Sequence, residues 1–177
     1  MALAETSSSR NARLWSEDGF REDSWRRSDS ADEAEDGARI ILPLSAFLAL
    51  EPDYREANLP RLGVEIMPGE SIEALLPFLH RLTLIALAFP VFNDGRSYSK
   101  AELLRSRHGF KGELRATGDV LLDQVAHMLR CGFSTLEVKN PVVVRRLSSG
   151  DPAGMSLYYQ PSVATPGKPG KYAWRRA

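Results

Sequence analysis

From Arg39 onward the chain repeats one hydrophobic rhythm. The runs RIILPL from Arg39, LGVEIM from Leu62, LTLIALAF from Leu82, GELRA from Gly112 and FSTLEVK from Phe133 have the length and apolar content of short buried strands. Helical patterns lie between them. SAFLAL begins at Ser45, and SIEALLPFLHRL opens on Ser71 as an N-cap, with Pro77 arguing for a kink or a shortened helix. A third helix has Ser99 and Glu102 at capping-box spacing and Gly109 as its left-handed stop. The fourth, DVLLDQVAHMLRCG, puts Leu121, Val125, Met128 and Leu129 on one face and ends at Gly132. A fifth starts with Asn140 as N-cap and Pro141 in the first helical position.

Strand and helix alternating at this spacing imply right-handed crossovers and a mostly parallel sheet, so the expected class is α/β with about five βα units. The chain is too short for an eight-unit barrel, which leaves an open doubly wound sheet or a part-barrel. A single α/β domain is expected over 39–160. Residues 1–38, rich in Ser, Asp, Glu and Arg, read as a disordered head in which Trp15 and Trp25 are docking anchors. Residues 161–177, Pro- and Gly-rich and basic at the tip, read as a flexible tail.

Composition narrows the chemistry. The 177 residues carry 23 basic and 23 acidic side chains, so no net field draws the protein to nucleic acid or to an anionic membrane. Lysine is confined to Lys100, Lys111, Lys139, Lys168 and Lys171; most positive charge is arginine, whose planar fork suits carboxylates and oxyanions. Cys131 is the single cysteine, which excludes an internal disulfide, a cysteine-ligated cluster and a thiolate zinc site within one chain. With no signal-peptide-like or membrane-length apolar run, a cytoplasmic location is expected. His80, His108 and His127 lack metal-ligand spacing, and Cys131, at a helix C-terminus, packs as a small apolar residue. No GxGxxG, GxxxxGK[ST] or GxSxG is present, so no cofactor is encoded by a recognisable motif.

In parallel α/β folds ligands bind beyond the carboxyl ends of the strands. That rule gathers Asp94, Arg96, Arg115 and Asp119 on one edge as candidate catalytic groups. Arg96, Ser99, Arg115 and Gly118 join them as anion-binding positions. The competing reading pairs Asp94 with Arg115 and Asp119 with Arg96 as rim salt bridges of little energetic worth. On the fourth helix Asp119, Asp123, His127 and Arg130 form a polar stripe, either solvated or, with Gln124, a docking face for a partner protein.

A dense set of residues then takes on a family likeness: Phe89-Pro90, Asp94-Gly95-Arg96, Ser99, Leu104-Arg105, Gly109, Gly112 to Ala116, Gly118 to Val120, Asp123-Gln124 and Arg130 to Phe133. Together they resemble a bacterial family numbered 934 among the domains of unknown function, over Arg39 to about Gln160. Members typically lie beside genes of assimilatory sulfite reduction and are often labelled probable oxidoreductases. The resemblance adds Arg105 to the anion-binding candidates. It implies a role in sulfate assimilation, with sulfite reductase or its electron donor as partner and a small oxyanion as possible ligand. Two function classes follow: an accessory protein assisting electron delivery, assembly or cofactor loading, and an oxidoreductase or small-anion-binding enzyme using the Asp/Arg edge.

Overall fold

The structure, a computed structural model, describes residues 12–31, 37–91 and 94–150. Its strands are β1 (Arg13–Ser16), β2 (Gly19–Arg21), β3 (Trp25–Arg27), β4 (Arg39–Pro43), β5 (Leu62–Ile66), β6 (Leu84–Phe89), β7 (Glu113–Gly118) and β8 (Thr135–Val138). The helices are α1 (Leu44–Ala49), α2 (Pro52–Asn58), α3 (Arg96–Ser106), α4 (Leu122–Cys131) and α5 (Pro141–Ser148). All eight strands form one sheet in the order β2-β1-β8-β7-β6-β5-β4-β3. β3 to β8 run parallel, and β1 is antiparallel to both β2 and β8.

The α/β reading and its five βα units hold from β4 to α5. Each parallel strand lies beside its predecessor in sequence, so right-handed crossovers place every connection on one face of the sheet. This is the part-barrel alternative; a doubly wound sheet would reverse its strand order. Alternation along the strands then divides the side chains. Ile40, Leu42, Val64, Ile66, Ile85, Leu87, Leu114, Ala116, Leu136 and Val138 form one apolar core with Phe47, Leu104, Val125, Met128 and Val143 of the helices. The other face holds a small separate cluster of Ile41, Leu84 and Ala86 against Trp25.

Local chemistry explains most boundaries. Asn140 caps α5, its side chain accepting from the Val142 amide at 2.9 Å, with Pro141 behind it. α4 stops at Gly132, whose φ of 100° places it in the left-handed region. Ser71 accepts from the Glu73 amide, but Pro77 limits that segment to a 3-10 helix over Glu73–Phe78. α3 departs from expectation: it begins at Arg96, so Ser99 lies exposed inside the helix and forms no capping box. The buried Ser97 hydroxyl instead ties the first turn to the Ala88 carbonyl of β6 at 2.7 Å. α2, with Pro52 in its first turn, was not anticipated.

The larger correction concerns the head. Residues 13–27, expected to lack structure, supply β1, β2 and β3. Leu14 and Trp15 are buried where β1 pairs with Leu136 to Val138 of β8. Strands of three or four residues show no periodicity of their own, and the burial of β1 comes from β8, more than a hundred residues on. Trp25, as expected of an anchor, packs on the sheet. The tail 161–177 lies outside the described residues.

Gly118 marks where β7 comes closest to β6: a Cβ there would lie 2.3 Å from the Phe89 carbonyl oxygen, at a φ of 92°. Gly109, at a φ of 63°, has open space around it. Gly118→Ala is therefore expected to cost about 3 kcal/mol or more, and Gly109→Ala about 1 kcal/mol, in urea denaturation.

Candidate functional site

The face of the sheet turned away from the helices is charged. Arg115, third residue of β7, is fully buried, and every edge of its guanidinium is engaged. Nε and Nη2 meet Glu113 Oε1 at 3.0 and 2.9 Å, Nη1 meets Glu137 Oε1 at 3.2 Å, and the Nη1/Nη2 fork grips Asp23 at 2.7 and 3.0 Å. Arg27 of β3 donates to Glu137 Oε2 at 3.0 Å and to Glu65 Oε1 at 3.2 Å. Thr117 and Thr135 fill remaining lone pairs, on Glu65 at 2.9 Å and Glu113 at 2.7 Å, and Arg21 meets Glu113 at 3.0 Å.

These contacts measure the curvature. β3 and β8 are five positions apart in the sheet, about 24 Å if it were flat at about 4.8 Å per strand. Yet Arg27 and Glu137 lie 2.9 Å apart. The sheet therefore curls into a half-barrel with the charges inside. Its two edges, β2 and β3, are joined by Glu22–Ser24 alone. Burial by itself would depress both guanidinium pKa values; the carboxylates of Glu137 and Glu65 around Arg27, and of Asp23, Glu113 and Glu137 around Arg115, outweigh it and raise them.

The sequence placed Arg115 and Asp119 on one edge with Asp94 and Arg96. Arg115 instead faces the interior, three residues before the end of β7. Asp94 and Arg96 do meet, at 2.6 Å, in the exposed turn that opens α3; hydrogen bonding from Arg96 holds the Asp94 carboxyl down at about 2. Neither of the expected pairs, Asp94–Arg115 or Asp119–Arg96, is formed among the described contacts. Asp119 is exposed after β7, its amide on the Phe89 carbonyl. Nearby, Lys100 bridges to the carbonyls of Met67 and Pro68 beyond β5.

Arg105 lies at the opposite end of the strands. It donates to the carbonyls of Gly132, Phe110 and Gly112 at 2.9, 2.6 and 2.9 Å, closing the turns before β7 and β8. That end also carries a groove of about 490 Å³ lined by Leu76, Leu79, Leu82 and Phe110, which brings together His80, His108 and Lys111.

On α4, Asp123 and His127 are exposed, and Gln124 and Arg130 are half-buried. His127 stacks on Tyr98 of α3 with ring centroids 4.5 Å apart and lies 3.8 Å from Cys131 Sγ. Burial, then the Arg130 charge, lowers the His127 pKa, while burial lifts the Cys131 thiol to about 11. Such a thiol packs as a small apolar group, as its surroundings imply.

Asp23, Arg27, Glu65, Glu113 and Glu137 were missed, although one signal was available. Glu113, Arg115 and Thr117 alternate along β7, and Thr135 and Glu137 continue the pattern on β8. A parallel strand covered on both faces reads as unbroken apolar sequence; a polar residue at every second position means one face is not covered by helices. Among the described residues no group of three or more His, Cys, Asp and Glu could hold a metal ion, and no helix is long and apolar enough to cross a membrane.

A curled, mostly parallel sheet with helices outside and a self-paired ionic interior defines an α/β half-barrel protein. The family model described as "Bacterial protein of unknown function (DUF934)" matches residues 63–168, and the chain belongs to that family. The match runs from β5 past the expected limit near Gln160 and leaves β1 to β4 outside it. No curated protein matches the chain.

Two results are expected. Arg115→Ala removes the buried cation that Asp23, Glu113 and Glu137 share and should cost about 3–5 kcal/mol in chemical denaturation, whereas Arg96→Ala, on the surface, should shift the midpoint far less. Asp94 is a depressed carboxylate, so the contribution of its pair is present above the ordinary value of 3.8 and is lost as pH falls through about 2. Carboxyl NMR should place its titration near that lower value, and Arg96→Ala should return it to the ordinary range.

Proposed function

We propose that the protein is an accessory factor of assimilatory sulfite reduction that docks on sulfite reductase or its electron donor and assists electron delivery, assembly or cofactor loading. The pathway comes from the family resemblance. The observation that favours docking over an anion-binding active site is the engagement of the candidate groups within the chain: Arg115 by three carboxylates, Arg105 by three carbonyls, Asp94 by Arg96. Arg115, Arg105, Asp94 and Arg96 are thus held by partners within the chain. The docking face in this reading is the exposed side of α4, with Asp123, Gln124, His127 and Arg130 at its centre. Charged groups on such a rim set partner choice and association rate more than affinity.

A strain lacking the gene should grow normally on sulfide and poorly on sulfate and sulfite. The wild-type gene and Arg96→Ala should restore growth, whereas the pair Asp123→Lys and Arg130→Glu, in a protein that still folds, should not. Equal growth of the deletion strain on all three sulfur sources would remove the pathway assignment. Failure of Arg96→Ala with full rescue by the α4 pair would move the function to the Asp94/Arg96 turn.

A further inference from the structure

We infer that the outward edge of the Arg115 guanidinium is a binding site for a small carboxylic acid, and that Asp23 of the same chain occupies it in the resting protein. The three carboxylates around Arg115 are not equivalent. Glu113 lies on the same strand, two residues away, and Glu137 on the adjacent strand, where Arg115 pairs with Thr135. Both belong to the wall. Asp23 belongs to Glu22–Ser24, the exposed link between β2 and β3, and takes both oxygens to the fork in the planar, two-bond geometry that arginine offers a carboxylate.

Access and charge support the same assignment. Arg115 is fully buried, and of its three carboxylate partners Asp23 is the most exposed, at 32% against 18% for Glu113 and 5% for Glu137, so the partner that solvent reaches most is the one filling the fork. β2 and β3 do not pair with each other in the sheet, and withdrawal of Asp23 breaks no strand ladder. Among the described residues, the network without Asp23 holds Arg21, Arg27 and Arg115 against Glu65, Glu113 and Glu137, three charges of each sign. A monocarboxylate restores the resting balance, whereas a dianion exceeds it. The ends of β2 and β3 flank the link, which limits the ligand to a small acid. This site stands apart from the docking reading and is tested on the isolated protein.

The experiment follows the Arg115 Nε–H resonance while sodium acetate is added, with sodium chloride at equal ionic strength as reference. In Asp23→Ala, acetate should shift the resonance saturably in the millimolar range and chloride should not. Wild type should need at least about tenfold more acetate, because the tethered Asp23 competes at high effective concentration. Asp23 also accepts from the Trp25 amide at 3.0 Å, so if Asp23→Ala does not fold, Asp23→Asn keeps that acceptor and carries the same titration. No saturable response, a response matched by chloride, or equal affinity in wild type and variant would overturn the assignment.

Discussion

The ion pair between Arg27 on the first parallel strand and Glu137 on the last is the contact on which the arrangement depends. It forms only if the sheet curls, and the curl puts four carboxylates and three guanidinium groups on a common concave face. Once that face is removed from water, each charge must be matched, because an uncompensated buried ion costs far more than its pair returns. Glu137 is held by both Arg27 and Arg115, which links the N-terminal arm to the two strands farthest along the chain. The interior is thus a constraint on conformation: an arm in another register deprives Arg115 of Asp23 and Glu137 of Arg27.

The opposite face supplies the hydrophobic stabilisation. Six consecutive parallel strands, with the crossovers from β4 to β8 on one side, give a single apolar layer between sheet and helices, and the other face is free to bend inward. Small residues make the bend possible. A Cβ at Gly63 would lie 3.0 to 3.2 Å from side-chain atoms of Leu84, Ile41 and Trp25, a tight fit, and Ala86 is the residue opposite Arg115.

The functional reading follows from the same division. Groups that the strand-end rule would gather into one pocket are distributed over three places: the interior for Arg115, the exposed turn before α3 for Asp94 and Arg96, and the far end of the strands for Arg105. Each has partners within the chain. An accessory role makes use of the outer surface, where α4 presents its polar side, and leaves the interior to one exposed carboxylate that can be exchanged.

The alternation of apolar runs and helical patterns determined the class of fold by itself, because burial against neighbouring layers is what each run records. Asn140-Pro141, Gly132 and Pro77 set local boundaries for equally local reasons: a capping side chain, a positive φ, a missing donor. The Asp94–Arg96 pair joins residues only two apart, yet the strand-end rule assigned each of them a more distant partner. The arm was not legible, because β1 and β3 hold only four and three residues, and β1 gains its burial from β8, a strand remote in sequence. Nor was the site: Asp23, Glu65 and Glu137 reach Arg115 and Arg27 only when the sheet curls. Curvature is a property of the assembled sheet, summed over all its strands, and no short stretch of the chain encodes it.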